Sequence, residues 1–298
     1  MSWRVLICDD FEPDAQAALR RAGLDVAYIP GIDRQALLKE AASADVLVVR
    51  VSTPVDRAVL NAGAHLKIVA MPGSGVDHID LRACAERGIR VVSAPGANAE
   101  SVAELTLGLM LALSRHLPEA LLHTAAGGWD KRLFLGAELQ GKTIGLVGRG
   151  RIGARVAELA AAFGMKVLVS DPAVPDSLAL DELLPAADFV SVHVPLLPAT
   201  RHLIGAAQLA RLRPGAVLMN LSRGGIVDET AVLDRPDILY VADVMEGEPP
   251  AGGHADPRPW PRTPHIGAWT QEAQRRAAFE TVEQIVRLRD EWAAGQAG

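Results

Sequence analysis

Along the first ninety residues two spacings of apolar positions alternate. Short unbroken runs rich in Val and Ile predict buried strands at Trp3–Cys8, Leu24–Ile29, Val46–Arg50, Lys67–Met71 and Ile89–Val92. Helical segments lie between them. Asp33 ahead of RQALLKEAA and Asp80 ahead of LRACAERG read as N-caps, and Gly88 as a stop. The alternation resumes at Lys142, with strands predicted at Thr143–Val147, Lys166–Ser170, Phe189–His193, Ala216–Leu221 and Ile238–Val241. Helices fill Ile152–Phe163, Ala206–Arg211 and Glu229–Leu233, with a short turn near Asp181. Strands alternating with helices imply parallel βαβ units, and two such series imply two α/β domains.

The joints follow from the same pattern. Ala99–Leu117 is a long, mostly apolar helical run, expected to cross from the first domain to the second. Gly247–Arg262 is rich in Pro and Gly and reads as loop. Helical periodicity returns from Thr270 to Trp292 with no strand after it, so this helix is expected to pack back on the first domain. The predicted division is 1–96 plus 270–298 for one domain, flavodoxin-like, and 97–269 for the other. A chain of 298 residues suits two domains of ordinary size.

Composition narrows the function classes. Hydrophobic residues at 49% and charged residues at 22% exclude a disordered chain. A net charge of −6 gives no general field for nucleic acid, so an anionic substrate must meet a local basic cluster. Cys8 and Cys84 are too few for a disulfide framework or a structural zinc site, and are expected to be reduced and packed as small hydrophobes. The N-terminus reaches two aspartates before any long apolar stretch, and the most apolar run, Leu105–Leu113, is short of the ~20 residues that span a bilayer. A cytoplasmic protein with no membrane partner is expected.

Residues 148–153 read Gly-Arg-Gly-Arg-Ile-Gly, between the strand TIGLV and the amphipathic segment ARVAELAAAFG. In that context Gly148 permits a tight turn, Gly150 lets the backbone approach a pyrophosphate, and Gly153 lets helix and strand pack closely. The helix start, with Arg151 and Ile152, presents free N–H groups to phosphate. Asp171 closes the strand KVLVSD, 171 − 153 = 18 residues beyond the last glycine. That is near the spacing of a ribose-binding carboxylate, which would repel a 2′-phosphate. No arginine follows in PAVPDS, so NAD is expected over NADP.

Three further chemistry-bearing residues fall outside regular structure: Arg223 in NLSRGGIVDE, Glu248 in ADVMEGEP and His265 in RTPHIGAWT. Taken singly they also read as a surface arginine, a loop acid and a His after Pro. With GSGVDHID, NAESVAE, GRGRIG and VSVHVPLLPAT, they make the sequence resemble the D-isomer-specific 2-hydroxyacid dehydrogenases over nearly its whole length. WDKRLFLGAELQGKTIG and TQEAQ look most like the D-3-phosphoglycerate dehydrogenase branch.

The resemblance implies two Rossmann-like, doubly wound parallel-sheet α/β domains with a cleft between them, a mechanism and a set of sites. His265 would take the substrate hydroxyl proton while C2 is oxidised by the nicotinamide, and Glu248 would hydrogen-bond the far ring nitrogen. Arg223 would grip the carboxylate and the carbonyl oxygen, leaving no need for a metal. Cofactor contacts are implied at Ser74, Gly148, Gly150, Arg151, Ile152, Gly153, Asp171, Thr200, Leu221, Ser222, Arg223, Asp243, His265 and Gly267. The Ser74–Gly75 turn resembles the carboxylate-binding turn, and Arg50, Lys131 and Arg132 are candidates for a substrate phosphate. Met71 stands where animal-type phosphoglycerate dehydrogenases carry a basic residue, and Trp269 replaces a small residue after HIGA. These leave glyoxylate or hydroxypyruvate reduction open. A non-enzymatic NAD(H)-sensing corepressor is the alternative of another class. The apolar stretch from Ala99 to Leu117, continuing to Trp129, further implies a homodimer.

Overall fold

The computed structural model describes residues 2–248 and 261–295. Those up to Asn98, with those from Ala268 onward, form one compact unit, and those within Ala99–Gly267 form the other.

The first unit runs β1 (Arg4–Ile7), α1 (Pro13–Arg21), β2 (Asp25–Tyr28), α2 (Arg34–Ala41), β3 (Val46–Val48), α3 (Arg57–Ala62), β4 (Ile68–Met71), α4 (Leu81–Glu86) and β5 (Arg90–Ser93). Its strands form one parallel sheet in the order β2-β1-β3-β4-β5, with Val5 opposite Val46 and Val46 opposite Ile68. Side chains alternate across it. Leu6, Leu47, Val49 and Val69 join the core shared with α2–α4, whereas Val5, Ile7, Val46, Val48 and Ile68 face Leu19 of α1. Burial on both faces explains why these strands read as continuous apolar runs. Asp33 and Asp80 cap α2 and α4 by accepting from the Ala36 and Ala83 N–H groups, each at 2.8 Å. Gly88, at φ +68°, closes α4 in the left-handed region.

The second unit contains α5 (Ala99–Ser114), α6 (Leu117–Ala125), a 3-10 turn (Lys131–Phe134), β6 (Thr143–Val147), α7 (Arg151–Ala162), β7 (Lys166–Ser170), α8 (Leu180–Ala186), β8 (Phe189–Val192), α9 (Ala206–Leu209), β9 (Val217–Asn220), α10 (Glu229–Val232) and β10 (Leu239–Ala242). Its sheet is also parallel, in the order β10-β9-β8-β6-β7. Numbered from its own first strand this is the order of the first unit, so both sheets reverse direction between their first and third strands. Ligands of such sheets bind beyond the carboxyl ends of the strands at that switch.

Helix α11 (Gln271–Gly295) belongs to the first unit. Its buried positions Ala278, Val282, Ile285 and Leu288 follow helical spacing and join the face of Val5, Ile7 and Leu19.

Two elements depart from the pattern reading. The run Ala99–Leu117 is not one helix and does not cross between units: it starts at the boundary and breaks after Ser114. His116 takes φ +50°, and Pro118 in the first turn of α6 has no N–H to continue the helix from Ser114. The turn near Asp181 is the helix α8, whose start is fixed by Glu182 accepting from the Ala179 N–H at 3.3 Å. Of the loop read at Gly247–Arg262, residues 249–260 lie outside the described residues. No helix among the described residues is long and apolar enough to cross a membrane. Cys8 and Cys84 are free and buried, and burial pushes the Cys8 thiol up to about 12, which leaves it inert.

Candidate active site

In the second unit β6 runs into the glycine loop at the sheet's switch point. Gly148 sits at φ +93°, and a Cβ there would meet the His193 carbonyl oxygen at 2.8 Å. A Cβ on Gly153 would overlap the Gly148 carbonyl oxygen. The protein's own packing therefore requires both glycines. Gly150, the N-cap of α7, is different: a Cβ there meets nothing within 4 Å. Its small size serves no internal contact and leaves the backbone open to a ligand, which fits the pyrophosphate of a dinucleotide. Arg151 and Ile152 open α7 directly above it. Asp171 follows β7, and its carboxylate accepts from the Arg149 N–H at 2.7 Å and from the Ala173 N–H at 2.9 Å. It is thus locked beside the glycine loop, as a ribose-binding carboxylate needs to be.

The two residues expected as an acid–base pair, His265 and Glu248, meet in the same unit. His265 Nδ1 lies 2.7 Å from Glu248 Oε2, while Glu248 Oε1 accepts from the Met245 N–H. Glu248 thereby holds the ring by its Nδ1 edge. His265 is held at φ +54°, an uncommon conformation for a non-glycine residue, of the kind found where surrounding structure over-determines the backbone. That surrounding structure is Asp243, which is 2% exposed. It accepts from Thr263 Oγ1 at 2.6 Å, from the Ile266 N–H at 2.8 Å and from the Gly267 N–H at 2.8 Å. Its main-chain carbonyl accepts from the His265 N–H at 2.9 Å. Ser101 Oγ donates to the Gly267 carbonyl at 2.6 Å, and a Cβ on Gly267 would lie 2.9 Å from Asp243 Oδ2.

Arg223 follows β9. Asn220, fully buried, donates to the Arg223 carbonyl at 2.9 Å and accepts from the Ser222 N–H and hydroxyl at 3.2 and 3.0 Å. Arg223 Nη1 donates to the Ser222 carbonyl at 2.7 Å. A Cβ on Gly224 would overlap the Met245 carbonyl, so only glycine lets this turn pack against the segment leading to Glu248. Leu221 is buried beneath it. Thr200 Oγ1 closes its own turn, donating to the Pro195 carbonyl at 2.6 Å and accepting from the Leu197 N–H at 2.7 Å.

The first unit holds Arg50 at its own switch point, beyond the ends of β1 and β3. Buried Asp9 accepts from the Arg50 N–H at 2.6 Å and from Ser52 Oγ at 2.6 Å. Arg50 Nε donates to the Asp10 carbonyl at 2.8 Å. Burial draws the guanidinium pKa down, opposed by Asp9 and Asp10. Ser74 and Gly75 lie in the turn after β4, and Asn98 Nδ2 donates to Ser74 Oγ at 3.4 Å. Met71 is buried under this turn, with its sulfur where a Cβ on Gly73 would come within 2.9 Å.

Of the other two phosphate candidates, Arg132 is closed on Asp130 by hydrogen bonds of 2.8 and 2.7 Å. It is therefore not the free cation the sequence reading wanted. Lys131 shares its 3-10 turn, beside exposed Trp129. Sequence reasoning missed Asn220 and Asp9, because a buried polar side chain that anchors a distant loop has no local signature. Gly224 lay in the quoted SRGG run, but its close approach to Met245 is a long-range contact.

Residues 107–267 match the model of the D-isomer specific 2-hydroxyacid dehydrogenase NAD binding domain. A "D-3-phosphoglycerate dehydrogenase" of Methanocaldococcus jannaschii is 42% identical over 96% of this chain, which spans 57% of that protein. A "Hydroxypyruvate reductase" of Thermotoga maritima is 41% identical over 96% of this chain and 98% of that protein. Among solved structures, the TT0316 protein of Thermus thermophilus superposes with a TM-score of 0.85 at 39% identity, covering 94% of each chain. The chain belongs to the D-isomer-specific 2-hydroxyacid dehydrogenase family, oxidoreductases that use NAD on CH–OH groups. It spans little more than half the length of the relatives named D-3-phosphoglycerate dehydrogenase.

Proposed function

We propose that the chain is an NAD-dependent D-2-hydroxyacid dehydrogenase that oxidises 3-phospho-D-glycerate to 3-phosphohydroxypyruvate. The observation that carries the reaction class is the His265 Nδ1–Glu248 Oε2 contact of 2.7 Å in a chain of this family. When bound, NAD supplies the two-electron acceptor for the substrate's C2. The chain's residues do the rest. With Nδ1–H fixed on Glu248, His265 Nε2 takes the proton from the C2 hydroxyl, and in reduction it returns that proton to the carbonyl oxygen. Arg223 grips the carboxylate and polarises the carbonyl.

The glycine loop and the start of α7 hold the pyrophosphate, and Asp171 takes the ribose hydroxyls and disfavours a 2′-phosphate. Thr200, Leu221 and Ser222 line the groove. Asp243 spends three acceptor directions on the His265 loop and has one left for the nicotinamide side.

Arg50 supports a phosphorylated acid. Its Nη1 and Nη2 have no partner among the described residues, so the guanidinium presents an open fork. The second reading is hydroxypyruvate or glyoxylate reduction. Buried Met71, in place of a basic residue, and the near-full-length likeness to the Thermotoga protein favour it. The two part on kcat/KM for phosphohydroxypyruvate against hydroxypyruvate. A charge-assisted phosphate contact of roughly 1.5–3 kcal/mol gives a preference of about tenfold or more for the phosphorylated acid. A preference for hydroxypyruvate selects the second reading.

We read the working form as a cytoplasmic homodimer. Helix α6 buries none of its residues, and Leu121, Leu122 and Trp129 are exposed on or beside it. A second copy would cover that apolar surface.

A further inference from the structure

We propose that Trp269 is a positioning residue that aims the Arg50 fork and so sets the preference for acids carrying a second anionic group. The proposal rests on Arg50 being the anion-binding group of the reading above.

Arg50 is restrained at two points, and neither fixes its outer edge. Its main-chain N–H is tied to Asp9 and its Nε to the Asp10 carbonyl. A guanidinium held only at Nε can still rock about that bond, and Nη1 and Nη2 find no partner among the described residues. The remaining restraint is the Trp269 ring, whose centroid lies 5.9 Å from Arg50 Cζ, within reach of a cation–π attraction.

Trp269 itself is anchored by its main chain. It stands just before Thr270, whose Oγ1 caps α11 by accepting from the Ala273 N–H at 3.2 Å. On its other side the Ala268 carbonyl accepts from Gln274 Nε2 at 2.8 Å. Yet the residue is 60% exposed, so it does not serve the core. An exposed indole beside a largely buried arginine gives that arginine a wall.

The test compares Trp269→Leu, Trp269→Phe and Arg50→Ala on the ratio of kcat/KM for phosphohydroxypyruvate to that for hydroxypyruvate. Trp269→Leu should lower the ratio about two- to fivefold, the change being carried by KM for the phosphorylated acid rather than by kcat. Trp269→Phe keeps a π face and should recover most of the ratio. In the Arg50→Ala background Trp269→Leu should lower the ratio no further, because the two residues act as one unit. An unchanged ratio in Trp269→Leu, or an equal further loss in the Arg50→Ala background, overturns the proposal.

A second readout stands apart from turnover. The fluorescence of Trp269, taken as wild type minus Trp269→Phe, should respond saturably to 3-phospho-D-glycerate, and the response should vanish in Arg50→Ala. No saturable response overturns the pairing. If the wild-type enzyme turns over neither acid, the phosphoglycerate reading falls, and this titration alone then judges the pair.

Discussion

His265 Nδ1 lies 2.7 Å from Glu248 Oε2, and the second oxygen of Glu248 is held by the Met245 N–H. The carboxylate therefore sets both the tautomer and the direction of the ring, as a carboxylate does for histidine in other acid–base sites. Glu248→Gln keeps a hydrogen-bond acceptor but loses the charge, and should lower kcat by about tenfold. Glu248→Ala removes the orienting group altogether and should cost about 100-fold, the range seen when such outer partners are removed. Steady-state kinetics with the best 2-keto acid measures both. Equal turnover in the wild type and Glu248→Ala would remove Glu248 from the mechanism.

Gly150 and Gly153 should separate under alanine substitution. A Cβ at Gly153 overlaps the Gly148 carbonyl, so Gly153→Ala should destabilise the fold by about 2 kcal/mol or more, as overpacking does. A Cβ at Gly150 meets nothing within 4 Å, so Gly150→Ala should stay within about 1 kcal/mol of wild-type stability. It should nonetheless weaken NADH binding by about tenfold, a loss of about 1.4 kcal/mol. Chemical unfolding and a fluorescence titration read the two effects. Unimpaired NADH binding by Gly150→Ala would take the pyrophosphate away from this loop.

A pH dependence of stability follows from His193, which comes directly after β8 at the sheet's switch point. Its Nε2 lies 2.9 Å from Ser191 Oγ. Part of the residue reaches the surface, but Nδ1 is sealed off with no hydrogen-bond partner among the described residues. Burial pushes the ring down from 6.5 to about 4. The unfolded chain takes up this proton below about pH 6.5, whereas the folded chain resists until about pH 4. The contribution is complete above that window and falls by about 1.4 kcal/mol per pH unit as pH drops through it. Between about pH 7 and pH 5 the wild type should lose about 2 kcal/mol more unfolding free energy than His193→Asn. Equal losses in urea titrations would mean the ring is not sealed.

Helix α6 carries the prediction about assembly. Leu121 and Leu122 are 70% and 72% exposed on a helix that buries nothing of its own unit. Light scattering at micromolar concentration should give twice the chain mass. Leu121→Asp with Leu122→Asp should shift it to the single-chain mass while circular dichroism stays native. A wild-type protein of single-chain mass would contradict the homodimer.

What the sequence showed clearly was whatever rests on local chemistry. Runs such as Ile68–Met71 read as strands because helices cover both faces of the sheet, and Asp33 and Asp80 read as caps because the bond is made three residues away. The His265, Glu248 and Arg223 motifs were legible for the same reason: each sits in a short run of distinctive neighbours. The break after Ser114 was hidden, because apolar residues continue through it and only Pro118 marks the missing donor. Asp243 was legible as a site residue but not as the anchor of the His265 loop, since its partners lie twenty or more residues away. The approach of Arg50 to the Trp269 ring joins residues 219 apart (269 − 50), beyond any spacing rule.

The central claim is that His265 moves the proton in an NAD-dependent reaction of a 2-hydroxy acid. NADH oxidation, followed by absorbance with phosphohydroxypyruvate, hydroxypyruvate, glyoxylate and pyruvate in turn, tests it most directly when wild type and His265→Ala are run side by side. Wild type should turn over at least one of these acids, and His265→Ala should be slower by about 100-fold or more, the usual worth of a positioned acid–base group. No turnover of any acid by the wild type, or near-wild-type turnover by His265→Ala, would contradict the account.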